Sequence, residues 1–285
     1  MGMNLNNAAS QQPTARYGSL TKSINIDQTL MLIELTREFE SVAAWQDEAL
    51  FRLPQASRKR RQEIVRSVLR KFLEIEDDRF VETPLRTLMT TPTLGPRLKR
   101  DLLLAQYLRT TPLVWEAIRD LTLPHAEAAA RSLTGSENSE IPQAEWDAFL
   151  EGRLRQYTNT TFSRTRRHIT AHLIKFGLLE AQPVPGERFA KRFFARFHEP
   201  EPGAFWFSLV LEFAESGWTS RSLDYVTGRS WTRVAYCTTP AYARFVMEEA
   251  ERAALVVTEF FGSEKQVTLR GPDPLGHVVE AIRYG

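Results

Sequence analysis

The chain has 285 residues, 42% hydrophobic and 25% charged, with 37 basic side chains against 35 acidic. These shares are ordinary for a globular protein of one or two domains, and a net charge of +2 leaves the choice of partner to how charge is distributed. A single cysteine, Cys237, excludes an intrachain disulfide and a multi-cysteine zinc site, and no stretch reaches the ~18–20 uncharged apolar residues of a membrane span.

Residues Met1 to Ser19 are polar and aperiodic, which predicts a disordered tail without the apolar centre of a secretory signal. From Asn25 the pattern turns helical, with Asp27 as the expected cap and Leu30, Ile33, Leu35 and Phe39 at amphipathic spacing. A second helix is predicted over Ala44–Phe51. A third follows Ser57, with Ile64, Val65, Val68, Leu69, Phe72 and Leu73 as its apolar stripe. Between Arg58 and Lys71 it carries seven bases against one acid, Glu63, and four of them (Arg58, Lys59, Arg60 and Arg61) crowd its first turn. Positive charge there opposes the helix dipole. A solvated helix face and a phosphate-contacting surface are both consistent with the run.

Pro84–Pro96 predicts a loop flanking a short helical turn, and helices are expected over Pro96–Leu108 and Pro112–Leu121, with Trp115 in the core. Ser132–Pro142 is short and polar and is taken as the linker between domains at 20–132 and 143–285. Beyond it, a helix over Gln143–Tyr157 leads through a polar turn into Thr160–Glu180. That stretch has Arg164, Arg166 and Arg167 near its start, Ile169, Leu173 and Phe176 on its back, and Gly177 at its end. Two helices joined by a brief turn, the second basic at its start, predict a helix-turn-helix. Phe189–His198 then alternates aromatic and basic residues as a wing strand would, with Phe189, Phe193, Ala195 and Phe197 inward and Lys191, Arg192, Arg196 and His198 outward.

An apolar helix is expected from Pro202, a helical piece over Thr219–Tyr225, and a turn at Ser230–Thr232. Next come an amphipathic helix over Pro240–Ala253 using Phe245, Val246 and Ala250, strands around a Gly262–Ser263 turn, and a closing helix over Pro274–Tyr284. The expected fold is mainly α: two helical domains with winged helix-turn-helix elements and short β-hairpin wings.

Charge is segregated. Glu151–His198 holds ten bases and three acids, +7, so the remainder carries −5 (2 minus 7). A localised basic surface on a helix-turn-helix outline is the footprint expected for DNA. Catalytic motifs are missing: there is no phosphate-binding glycine loop, no nucleophile elbow and no HExxH, since His168 and His172 stand in HITAH. The residues therefore point to a non-enzymatic protein without a cofactor, in a reducing cytoplasm.

The order of features resembles the BrxA family, small proteins of the BREX bacteriophage-exclusion systems. The segments that carry the resemblance are LFRLPQASRKRRQEIVRSVLRKF, LLLAQYLRTTPLVWEAI, TRRHITAHLIKFGLLE and the run from SLDYVTGRSWTRVAYC to FFGSEKQVTLRG. The resemblance implies a helical protein that binds double-stranded DNA and is encoded beside a methyltransferase and other defence proteins. By matching positions, it puts DNA contacts at Ser163, Arg164, Arg166, Arg167 and Thr170, then at Lys175, Lys191 and Arg192. The alternative is a protein–protein adaptor that uses the winged-helix fold as an interaction surface, with Trp206, Trp218 and Trp231 at the interface if exposed.

Overall fold

The computed structural model describes residues 25–132, 139–154, 159–187 and 190–284. The predicted tail, the 133–138 part of the predicted linker, Tyr157 and Phe189 lie outside them. Among the described residues the chain is mainly helical, with small antiparallel sheets.

Helix α1 (Ile26–Leu35) starts at Asn25, whose side chain accepts a hydrogen bond from the Gln28 amide at 3.2 Å. Asp27, the expected cap, lies instead in the first turn, where its charge complements the dipole. Ser41 caps α2 (Val42–Arg52), and Ser57 caps α3 (Arg58–Phe72), whose Val65, Val68 and Phe72 are buried. A hairpin that the sequence did not announce follows, β1 (Ile75–Glu76) and β2 (Arg79–Phe80). It turns through Asp77 and Asp78 at φ +48° and +59°. The Asp78 carboxylate accepts from Ser41 Oγ at 2.7 Å and the Ala43 amide at 3.2 Å, so the strained turn is held by the start of α2.

Helices α4 (Pro84–Thr90) and α5 (Pro96–Thr110) are followed by α6 (Pro112–Ala117). The helix predicted to stop at Leu121 does not stop: it passes through a π turn (Ile118–Thr122) into α7 (Leu123–Arg131). Pro124 cannot donate to the turn before it, and the π turn, with Leu123 N–H bonded to Ile118 O, accommodates that missing donor. Helix α8 (Gln143–Arg153) ends at Leu154, short of the predicted Tyr157. Helix α9 (Asn159–Lys175) ends as predicted on Gly177, at φ +79°, with Leu178 N–H on Leu173 O at 2.8 Å. The hairpin β3 (Leu179–Pro183) and β4 (Lys191–Ala195) comes next.

The last part contains α10 (Pro202–Ser216), β5 (Ser220–Ser222), α11 (Leu223–Gly228), α12 (Trp231–Ala235), α13 (Pro240–Arg252), β6 (Val256–Phe261), β7 (Glu264–Leu269) and α14 (Pro274–Tyr284). Three predictions fail here. Residues 220–222 of the expected helix pair with β7 as a strand, and the expected turn at Ser230 begins a helix, with Ser230 Oγ accepting from the Arg233 amide at 3.1 Å. Phe245, expected inward, is 45% exposed; Val246 and Ala250 are buried as predicted.

Helix α10 is central. Its Phe205, Phe207, Leu209, Val210 and Phe213 are buried, and it packs against α5, α12, α13 and α14. Gly203 lets α14 approach, because a Cβ there would meet Ile282 Cγ1 at 2.9 Å. One continuous apolar cluster reaches from Leu32 to Val279. It crosses the predicted domain boundary, where Tyr107 of α5 packs on His172 and Phe176 of α9.

Candidate nucleic-acid interface

Helix α9 has two clear sides. Thr165, Ile169, His172, Leu173 and Phe176 are buried, whereas Ser163, Arg164, Arg167 and Lys175 are exposed. The exposed bases recur three, then eight residues on, so they share one outward face. Thr170 does not belong to it: it is 3% exposed and its hydroxyl donates to Arg166 O at 3.0 Å. Its place next to Ile169 and three residues before Leu173 turns it into the core. Arg166 is also diverted, being half-buried with its guanidinium on Asp147 of α8 at 3.0 Å.

At the start of α3, Arg58 and Lys59 are exposed, and Arg60 is half-buried at 3.5 Å from Glu63. Arg61 turns inward instead and donates to Leu50 O at 2.9 Å, tying α3 to α2. On α9 itself, His168 is half-buried. Its imidazole is held below the ordinary histidine value, first by burial and then by the charges of Arg164 and Arg167 on its own helix and Arg60 on α3. His168 Nε2 is shut off from water without a hydrogen-bond partner, a condition that costs about 1–3 kcal/mol. The other helical histidine, His172, is 0% exposed and bonded through Nδ1 to Tyr107 Oη at 2.8 Å. The pair therefore faces different environments, and among the described residues no group of three metal-ligating side chains assembles.

The hairpin after α9 is anchored on both sides. Arg196 N–H bonds to Leu178 O, and the chain entering α8 lies along β4, with Ile141 N–H on Phe193 O at 2.8 Å and a bridge between Glu140 and Phe194. Lys191 is exposed. Arg192 is held by Glu140, with Nε at 2.8 Å, and the guanidinium keeps that carboxyl below the usual range. Arg196 holds Glu180, and Arg153 holds Glu116 at 2.6 Å together with Asp120. His198, expected to face outward, turns in and bonds Asp101 Oδ1 through Nε2 at 2.7 Å. Of the set expected inward, Ala195 is buried while Phe193 and Phe197 are half-buried, and Phe194, outside that set, is the buried aromatic.

The basic segment is thus narrower in space than in sequence. Of its bases, Arg153, Arg166, Arg192 and Arg196 are each neutralised by a carboxylate from another element or strand, and Arg155 and Arg188 lie outside the described residues. Arg164, Arg167, Lys175 and Lys191 stay outward, joined by Arg58, Lys59 and Arg60. His168 was singled out in the sequence only for its spacing from His172. What distinguishes it is that the charges of Arg164, Arg167 and Arg60 disfavour its protonation, and Arg60 belongs to another helix far away in the sequence.

Cys237 is fully buried at φ +48°, and burial pushes its thiol up to about 12. It is an inert core group. Among the described residues no helix is long and apolar enough to cross a membrane. No family model, curated protein or solved structure matches the chain.

Proposed function

We propose that the chain is a non-enzymatic, cytoplasmic protein that binds double-stranded DNA, with α9 as the recognition helix of a winged helix-turn-helix and the start of α3 as a second phosphate-contacting element. The observation that carries this reading is the exposed face of α9, on which Arg164, Arg167 and Lys175 stand together, with Arg58 and Lys59 exposed at the start of α3. Like charges gathered on one helix face are stable when solvated or when a polyanion docks there. The order of elements supports the winged label: a bridging segment at Glu140, helices α8 and α9, then β3 and β4, with the bridge lying on β4. The C-terminal part repeats that order, since β5 pairs with β7 across from β6 after α11, α12 and α13. The resemblance to the BrxA family extends the proposal to an accessory role in a BREX phage-defence system, beside a methyltransferase and other defence proteins.

The test is a mobility shift of a double-stranded oligonucleotide by the full chain at low salt. A retarded complex that dissolves as salt rises is the expected result, and no complex at any salt refutes the proposal.

A second reading, a protein–protein adaptor, is favoured by one observation: Phe260 and Phe261 at the β6–β7 tip are 75% and 82% exposed beside Glu259 and Glu264. The tryptophans do not supply that surface. Trp206, Trp218 and Trp231 are half-buried against the core, Trp206 Nε1 donating to Val246 O at 3.0 Å and Arg221 and Arg109 covering the other two rings. Under the adaptor reading, replacing Phe260 and Phe261 by Ser abolishes defence function in cells while duplex binding in the mobility shift survives.

A further inference from the structure

We propose that the β6–β7 tip is a knob that docks on a second copy of this chain, in the cleft that Phe39 and Phe80 line beside β2. This takes up the exposed tip of the adaptor reading and gives it a partner, and the duplex reading stands apart from it.

The knob follows from its turn. Strands β6 and β7 close through Gly262 and Ser263, Gly262 at φ +65°, with Phe261 opposite Glu264 and Phe260 opposite Lys265. Neighbouring residues of a strand point to opposite faces. Phe260 and Phe261 are nevertheless both largely exposed, so neither face of the tip is covered and the hairpin end projects beyond the body. A projecting apolar pair with no cover of its own marks a contact surface. Glu259 and Glu264 are exposed beside it and Lys265 is half-buried, so the tip carries −1 (one base minus two acids). That flank repels phosphates, whether of a duplex or of a lipid. The partner it fits is an aromatic cleft with unpaired positive charge.

The chain has such a cleft. The α1–α2 connection (Phe39, Glu40), β2 (Arg79, Phe80) and the start of α4 (Arg86) border about 450 Å³. That volume lies within the ~300–1,000 Å³ of sites that take small ligands or side chains. Phe39 and Phe80 are half-buried. The walls are fixed in advance: Trp45 meets Phe80 edge to face with centroids 5.4 Å apart, and Arg86 lies 5.6 Å from the same ring, held by Thr36 Oγ1 at 3.1 Å and by Glu82. Arg79 is exposed and, among the described residues, makes no ion pair. It is the cation for Glu259 or Glu264 of an incoming tip, and the cleft's own acid, Glu40, is matched by Lys265. A second cleft shares Arg79 and Phe80 and is larger, about 520 Å³, but Glu76 and Asp77 line it and oppose an acidic tip. Charge therefore selects the smaller cleft.

The tip stands in solvent in the structure, so the docking is between copies. Knob and cleft are different surfaces, which makes the contact head-to-tail: every copy offers both, and association runs past a dimer unless it closes into a ring. A contact this small is a weak one.

The experiment is sedimentation of the full chain, freed of nucleic acid, from ~1 μM to ~1 mM, the span of weak association. Three proteins are compared: the natural chain, Phe260→Ser with Phe261→Ser, and Arg79→Glu. We expect the mean mass of the natural chain to rise with concentration. Each variant alone should associate at least about tenfold more weakly, as when an anchor at the centre of a contact is lost. Mixed in equal amounts, the two variants should associate again and stop at a heterodimer, because one supplies only a cleft and the other only a tip. That restoration also shows that both variants are folded. A natural chain that stays monomeric throughout overturns the proposal, as does association that survives in either variant, or a mixture that stays monomeric. None of these results bears on the duplex reading, which the mobility shift decides.

Discussion

Replacing Arg164 and Arg167 together by Ala probes the outward face of α9 through the salt dependence of duplex binding. Under the duplex reading seven described bases are taken as phosphate contacts: the exposed Arg58, Lys59, Arg164, Arg167, Lys175 and Lys191, and the half-buried Arg60. Each phosphate neutralised contributes about −0.9 to the slope of log affinity against log salt, so seven contacts give a slope of about −6. Removing two leaves about −4.5. Over a fourfold rise in salt the natural protein then loses about 12-fold more affinity than the double variant, being fourfold raised to the power 1.8. Arg166→Gln is the comparison, because that guanidinium already holds Asp147 at 3.0 Å. Its slope should match the natural protein, while its thermal midpoint falls slightly. The assay is anisotropy titration of one duplex at four or more salt concentrations. Equal slopes for the natural protein and the double variant would refute the assignment of α9 as the phosphate-facing helix.

Three further predictions concern the scaffold that presents this face. Glu212, 5% exposed, accepts from Tyr225 Oη at 3.0 Å, the Trp231 and Thr232 amides at 2.9 Å and Thr232 Oγ1 at 2.9 Å. Glu212→Ala strands the two donors of the fully buried Thr232 at about 1–3 kcal/mol each, so urea denaturation should report a loss of about 2–6 kcal/mol. Gly203→Ala should cost about 1–3 kcal/mol by overpacking α10 on α14, and Ile282→Ala in the same chain should restore part of it, because the added Cβ collides with Ile282. Lys71 is held at about 8 by desolvation and then by Arg70, and it sits 4.7 Å over the Tyr107 ring with Nζ on Thr111 Oγ1 at 3.1 Å. Its charge is disfavoured in the folded state, so folding stability should rise from about pH 8 to the unfolded value of 10.5. Lys71→Met should therefore raise the melting temperature at pH 7 and lose that advantage above pH 10.5. An advantage that persists at high pH would assign the effect to packing.

Where local chemistry sufficed, elements were legible from residue types. Ser57, Gly177 and the Gly262–Ser263 turn mark their boundaries because a cap or a positive φ is a property of one or two residues. Where a distant partner decided, the reading failed. Residues 220–222 became a strand only because β7 offered an edge, and the π turn reflects Pro124 acting on a helix already held by the core. Thr170 was drawn into the candidate site by its neighbours in sequence, yet helical geometry buries it.

The chain by itself determined that it would be mainly helical, that α3 would open on a cluster of bases and α9 carry another near its start, and that a strand-forming segment would follow α9. These follow from periodicity and composition over short spans. Only the tertiary structure decided which bases face outward. The carboxylates that silence Arg153, Arg166, Arg192 and Arg196 lie 16 to 52 positions away in the chain. Electrostatic interaction falls with distance in space, not along the sequence, so a count of charges over a segment overstates the field that the folded segment presents.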